Sequence, residues 1–211
     1  MSIDISTVVL QYVCLLFSLC VHEAAHAFVA DRCGDPTGRF LGRVTLNPLA
    51  HIDPIGTVVL PVIMMVTSIP YLFGWAKPVP FNPRNLRNVR RDPVLIGLAG
   101  PASNLLIAIV TVLALRVALI AGVGNFPFSY PLVFIALNLI AINFLLAVFN
   151  MIPVPPLDGH YLLGYFLPPG GQRALEQIGP FGIIIAIVIA NKFMHIPMGF
   201  MEDTVFWFLG L

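Results

Sequence analysis

Charge is scarce in this chain. Only 10% of its 211 residues are Asp, Glu, Lys or Arg, against about 25% in an ordinary soluble domain. There is no internal repeat and no polar stretch long enough to fold as a separate soluble domain. The basic residues fall in short loops between apolar runs and the net charge is +1, so the chain has no arm suited to nucleic acid. Cysteine is nearly absent too. Cys14, Cys20 and Cys33 form no C-x-x-C pair, and two of them lie in the first apolar run, where a thiol acts as a small hydrophobe. A disulfide framework is therefore not expected. The opening "MSIDIS" lacks the basic residues of a secretory leader, and the apolar run after it is too long for one. A retained helix is expected there.

What the chain does have is apolar length. Hydrophobic residues make up 58% of it and the mean hydropathy is +0.92. This composition predicts an all-α polytopic membrane protein with four spans and one or two more, about 4–6 in all. The spans fall at about 5–30, 55–73, 94–122 and 131–152, with a further apolar tail over about 179–211. Pro61 and Pro70 interrupt the second run. The fourth ends in "FNMIPVPPLDGHYLL", where three prolines within four residues forbid further helix, and a short helix is expected over about 158–167. Two loop pieces, "GRVTL" and the proline-spaced "GWAKPVPF", have a strand-like look. Both the 31–53 and the 74–93 loops are basic, so the positive-inside tendency places both in the cytoplasm. That is possible only if the 55–73 run is re-entrant; otherwise one loop breaks the tendency.

The chemistry is concentrated in "LCVHEAAHAFVAD", residues 19–31. On a helix, His22 and His26 project from one face about one turn apart. Two imidazoles so placed can hold one tetrahedral metal ion. Glu23 points beside such an ion rather than at it. That suits a carboxylate that takes a proton from water whose pKa zinc has lowered to about 7, then passes it to a leaving amine. A chance HExxH is expected in well under roughly one in a hundred such chains. Three ionisable groups at depth cost roughly 2–4 kcal/mol each if unpaired, so they call for a common partner. The extended HExxHxxGxxH pattern is absent, because Val29 and Arg32 stand at its glycine and third-histidine positions.

A third ligand must then come from afar. Asp158 is the first candidate, an acid on a proline-broken segment, which survives at membrane depth only if buried in protein or lining a wet cavity. Its other reading is an N-cap for the helix that follows. His51 and Asp53 are rivals, although Asp53 before Pro54 reads more as a helix cap. His160 and His195 complete the set.

Taken together, "HEAAH" in the first membrane helix, "GPASN" opening a later one and "FNMIPVPPLDG" after the next resemble the site-2 protease family of intramembrane zinc metalloproteases. The resemblance covers about residues 15–167. It implies one zinc per chain held by His22, His26 and Asp158, with Glu23 as catalytic base and acid. It implies a substrate that itself spans the lipid bilayer, unwound for cleavage, and a place in the cell (cytoplasmic) membrane. Asn150, eight residues before Asp158, falls on the segment that helps hold substrate. Its amide is suited to an extended backbone, or else to capping the broken helix. Asn104 reads as structural, packing its helix or bonding across helices. The strand-like pieces resemble the family's membrane-associated strand or hairpin. The expected organisation is a single integral-membrane metalloprotease domain over 1–211, with its core at 5–167 and a helical tail at 168–211. The chain departs from the pattern in starting directly with the motif helix, in having no room for a PDZ domain, and in His160 following Gly159.

Two other classes remain open on the residues alone: a zinc-binding membrane transporter, and a catalytically silent membrane scaffold. A transporter calls for more ionisable groups strung along a path, whereas here they cluster.

Overall fold

The computed structural model describes residues 5–67, 74–123 and 129–210. The chain is an all-α polytopic membrane protein. Its first helix, α1 (Ile5–Arg32), contains neither glycine nor proline and ends just before Gly34, whose φ of 109° terminates the turn. A single turn, α2 (Thr37–Phe40), follows. A wide π-type turn over Pro54–Val59 then runs into α3 (Leu60–Val66). The two long helices α4 (Asp92–Ile120) and α5 (Ser129–Asn150) come next. Four shorter helices close the chain: α6 (Gly159–Phe166), α7 (Pro169–Ile178), α8 (Gly182–Phe193) and α9 (His195–Leu209).

Among the described residues three helices, α1, α4 and α5, are long and apolar enough to cross a membrane, or four if α7 and α8, bent by 83° at their junction, count as one. This lies at the low end of the sequence expectation. The 55–73 run accounts for part of the difference. Its described part, Pro54–Val66, falls well short of the ~20 residues a helix needs to cross, and residues 68–73 lie outside the described residues.

The three long helices pack on one another in a pattern inverted from that of a soluble protein. Ser18, His22, His26, Asn104 and Asn143 are buried between them, while Leu106, Ile109, Val117 and Ile120 of α4 face outward. Lipid satisfies the outer surface, so polar groups gather inside where they find partners.

The loops after α1 and before α4 are bound together. Asp35 is fully buried. Its carboxylate accepts hydrogen bonds from the Thr37 hydroxyl and N–H (2.6 and 3.2 Å), the Asn85 amide (2.8 Å) and the Asn82 N–H (2.7 Å). The Arg87 N–H donates to Cys33 O at 3.0 Å. The 31–53 and 74–93 loops therefore lie on the same side of the molecule, as a run that does not cross between them requires. Burial alone would raise the Asp35 carboxyl, but the bonds from Thr37, Asn85 and Asn82 outweigh it and hold the acid below the usual carboxylate range. A carboxyl lowered in the folded state stabilises fully above its unfolded value of about 3.9, and that stabilisation is lost as pH falls through the lower folded value. Asp35→Ala should cost about 1–3 kcal/mol at neutral pH, by leaving the donors of Thr37, Asn82 and Asn85 without their shared acceptor. Thermal unfolding of both proteins in mild detergent should show the gap between them narrowing below about pH 4.

Among the described residues no strand forms, which corrects the expected strand or hairpin. "GRVTL" is a series of turns, and its Arg43 guanidinium reaches the carbonyls of Ala50 and Lys77. Residues 74–82 have no regular secondary structure and make only isolated bonds, such as Lys77 N–H to His51 O at 2.9 Å. Pro78 and Pro80 remove the N–H groups a ladder needs.

Candidate metal centre

α1 presents His22 and His26 on its buried face, as the four-residue spacing predicts, with their rings edge to face at 4.6 Å. The prolines at 153, 155 and 156 end α5 and turn the chain back, so that Asp158, just ahead of α6, reaches the same point. His22 Nε2 and His26 Nε2 lie 3.0 Å apart, and Asp158 Oδ2 lies 3.1 and 3.3 Å from them. Asp158 makes no side-chain cap bond to α6, so its capping role is not seen.

The outer nitrogens define which ring atoms are free. His22 Nδ1 lies 2.5 Å from Asn104 Oδ1, and His26 Nδ1 lies 2.7 Å from Ile96 O. Both partners are acceptors, so both Nδ1 atoms carry the hydrogen and both neutral rings turn an Nε2 lone pair inward. Asp158 Oδ2 is buried and has no hydrogen-bond partner. Three ligand atoms thus converge on one point, an arrangement that a bound cation satisfies. A glycine leaves the space. A Cβ on Gly100 would fall 2.5 Å from His26 Nε2 and 2.6 Å from His22 Nε2, close to the ~2.0–2.1 Å at which zinc sits from imidazole nitrogen. The residues fit a zinc ion.

Glu23 lies beside this cluster, half-buried, and its Oε2 accepts the Val79 N–H at 3.0 Å. Between Pro78 and Pro80, this is the one backbone donor of that stretch. A cavity of about 530 Å³ is lined by Phe81, His160 and Tyr161, but by none of the three clustered side chains.

The rivals for the third ligand sit elsewhere. Asp53 caps the 54–59 turn, accepting from Ile55 and Gly56 N–H at 3.0 and 2.7 Å. His51 directs Nε2 at Thr45 O (2.9 Å). His160 turns Nδ1 to Leu157 O (2.6 Å) and stacks on Tyr161, and His195 is exposed at the start of α9. Asn150 closes α5, and its amide donates to Leu146 O at 2.9 Å. Asn104 does bond across helices, but to His22, a role the sequence reading missed. Ser18, Asn143, Ile96 O, Gly100 and the Val79 N–H were missed as well. The asparagine–histidine contact had one available signal: a polar amide deep in an apolar helix is costly unless it has a specific partner.

Buried polar groups inside three long apolar helices define a membrane protein with a polar core. The chain is 36% identical over 181 residues to "Putative zinc metalloprotease YwhC" of Bacillus subtilis, covering 83% of this chain and 77% of that protein. It is 32% identical over 204 residues to "Putative zinc metalloprotease Rip2" of Mycobacterium tuberculosis, covering 93% and 71%. It is also 32% identical over 174 residues to the protein of the same name from Mycolicibacterium smegmatis, covering 82% and 63%. No family model matches the chain, and no solved structure matches it significantly. The chain belongs to the zinc metalloprotease family that YwhC and Rip2 represent.

Proposed function

We propose that the chain is an intramembrane zinc endopeptidase of the site-2 protease type. On this reading it hydrolyses a peptide bond within or near a membrane-spanning segment of a protein substrate in the cell membrane. The observation that carries the reading is the convergence of His22 Nε2, His26 Nε2 and Asp158 Oδ2 within a bundle of apolar helices. These three side chains hold one zinc ion. When bound, zinc supplies a Lewis acid that polarises the scissile carbonyl and lowers the pKa of water.

The chain's own groups do the rest. Glu23 does not join the three ligand atoms, and the Val79 N–H fixes one of its oxygens. The other oxygen takes a proton from the attacking water and delivers it to the leaving amine. Asn104 and Ile96 O hold the two rings in the tautomer that faces the ion. At the end of α5, Asn150 retains an acceptor and a second amide hydrogen for the backbone of an unwound substrate. Among the described residues a single His/Cys/Asp/Glu cluster of metal-binding geometry occurs, an arrangement suited to one reaction centre rather than a transport path.

The test is elemental analysis of the full chain purified in mild detergent, alongside His22→Ala and Asp158→Ala. It is followed by incubation of the zinc-loaded protein with single-span membrane proteins and mass spectrometry of the fragments. About one zinc per chain is expected, lost or weakened in both variants, with cuts inside or beside the spans. A wild-type chain that takes up no zinc even when it is added back leaves only the scaffold.

A further inference from the structure

Behind His22 lies a chain of fully buried amides that joins all three long helices. It starts at a backbone carbonyl, whose identity as acceptor is fixed. On α5, the Asn143 amide nitrogen donates to Leu139 O at 2.8 Å and to the Ser18 hydroxyl at 2.8 Å. Ser18 in turn donates to Cys14 O at 2.7 Å. With its NH₂ so committed, Asn143 can offer only its oxygen to α4. Asn104 meets that oxygen with its own NH₂ at 2.8 Å, and the same nitrogen lies 3.4 Å from Ser18 O. Asn104 is thereby turned so that its oxygen faces His22 Nδ1 at 2.5 Å. Ser18, Asn104 and Asn143 are each 0% exposed. No water competes for these bonds, and Asn104 flipped in place would set N–H against N–H at His22 and oxygen against oxygen at Asn143.

We infer that Asn143 is a positioning residue for His22. It acts through Asn104 to fix the histidine's tautomer and so sets the affinity of the metal centre from a third helix. His26 provides a built-in contrast, because its Nδ1 is held by Ile96 O of α4 and lies outside the relay. A merely structural Asn143 would disturb both rings alike when replaced. A relay disturbs His22 alone. The inference rests on His22 and His26 being zinc ligands.

The experiment uses the full chain in mild detergent with ¹⁵N-labelled histidine. Ring-nitrogen spectra of the zinc-free protein are paired with zinc titration against a competing chelator. Asn143→Leu keeps the volume and removes both polar atoms, and Asn143→Ala is the second variant should the first not fold. Zinc Kd should rise about 10–100-fold in Asn104→Ala and about threefold or more in either Asn143 variant. The double variant should be no weaker than Asn104→Ala alone, because the relay passes through that residue. In zinc-free Asn143→Leu, His22 should leave its Nδ1–H tautomer while His26 keeps its own. An unchanged His22 signal, a wild-type Kd, an equal disturbance of His26, or additive losses in the double variant would each overturn the inference. Absence of zinc binding in the wild type would remove the protease reading instead, and the zinc-free spectra would still decide the relay.

Discussion

Glu23→Gln should lower peptide hydrolysis about 10²–10⁴-fold, the range general acid–base catalysis contributes, while zinc content stays as in wild type. Glutamine has nearly the shape of glutamate and can still accept the Val79 N–H at the position Oε2 occupies. What it cannot do is take a proton from water near neutral pH. Because Glu23 is not one of the three converging ligand atoms, the metal should remain. The separation of the two readouts is the informative part. Elemental analysis beside fragment yield from a single-span substrate gives both, and the variant should also retain uncut substrate. Loss of zinc together with activity would make Glu23 a ligand. Full activity would move the base elsewhere.

The second large effect is expected from adding one methyl group. Gly100→Ala should weaken zinc binding by about 100-fold or more without unfolding the protein. Its Cβ would fall 2.5 Å from His22 Cε1 and His26 Nε2 and 2.6 Å from His22 Nε2, contacts far inside van der Waals range. The rings have little room to retreat. Asn104 holds one from behind and Ile96 O the other, so relieving the clash breaks one of those bonds. Alanine is otherwise a better helix former than glycine by about 1 kcal/mol, so α4 itself should not suffer. Chelator competition with unchanged helical circular dichroism would confirm this. Wild-type zinc affinity in Gly100→Ala would mean that the ion sits on the other side of the three ligand atoms.

Much of the site could be read without coordinates because its main signal is local. His22, Glu23 and His26 fall on a helix whose geometry converts spacing directly into direction. Asp158 was legible for another reason: a carboxylate on a proline-broken segment beside an apolar span has few other uses. The relay behind His22 was not legible. It depends on which faces of α1, α4 and α5 meet, and three asparagines on α5, at 138, 143 and 150, look alike as letters. In the fold Asn138 bonds Gln11, Asn143 enters the relay and Asn150 ends the helix. The expected strands failed because "GWAKPVPF" carries β-compatible residues but spends its donors on prolines. The span count was bounded only loosely, because apolar length alone does not separate a crossing run from a re-entrant one. The bonds from Cys33 and Asp35 to residues 82–87, with those of Arg43 and His51 to Lys77, show the two basic loops on one side.

The run of α1 gives the centre a depth. His22 and His26 lie ten and six residues before the end of α1 at Arg32, or about 15 and 9 Å along the helix. The opposite end is farther away, with seventeen residues between Ile5 and His22. Measured from Arg32, a bilayer core about 30 Å thick puts the centre a third to halfway in, so under the proposed function both water and an unwound substrate must be brought that deep.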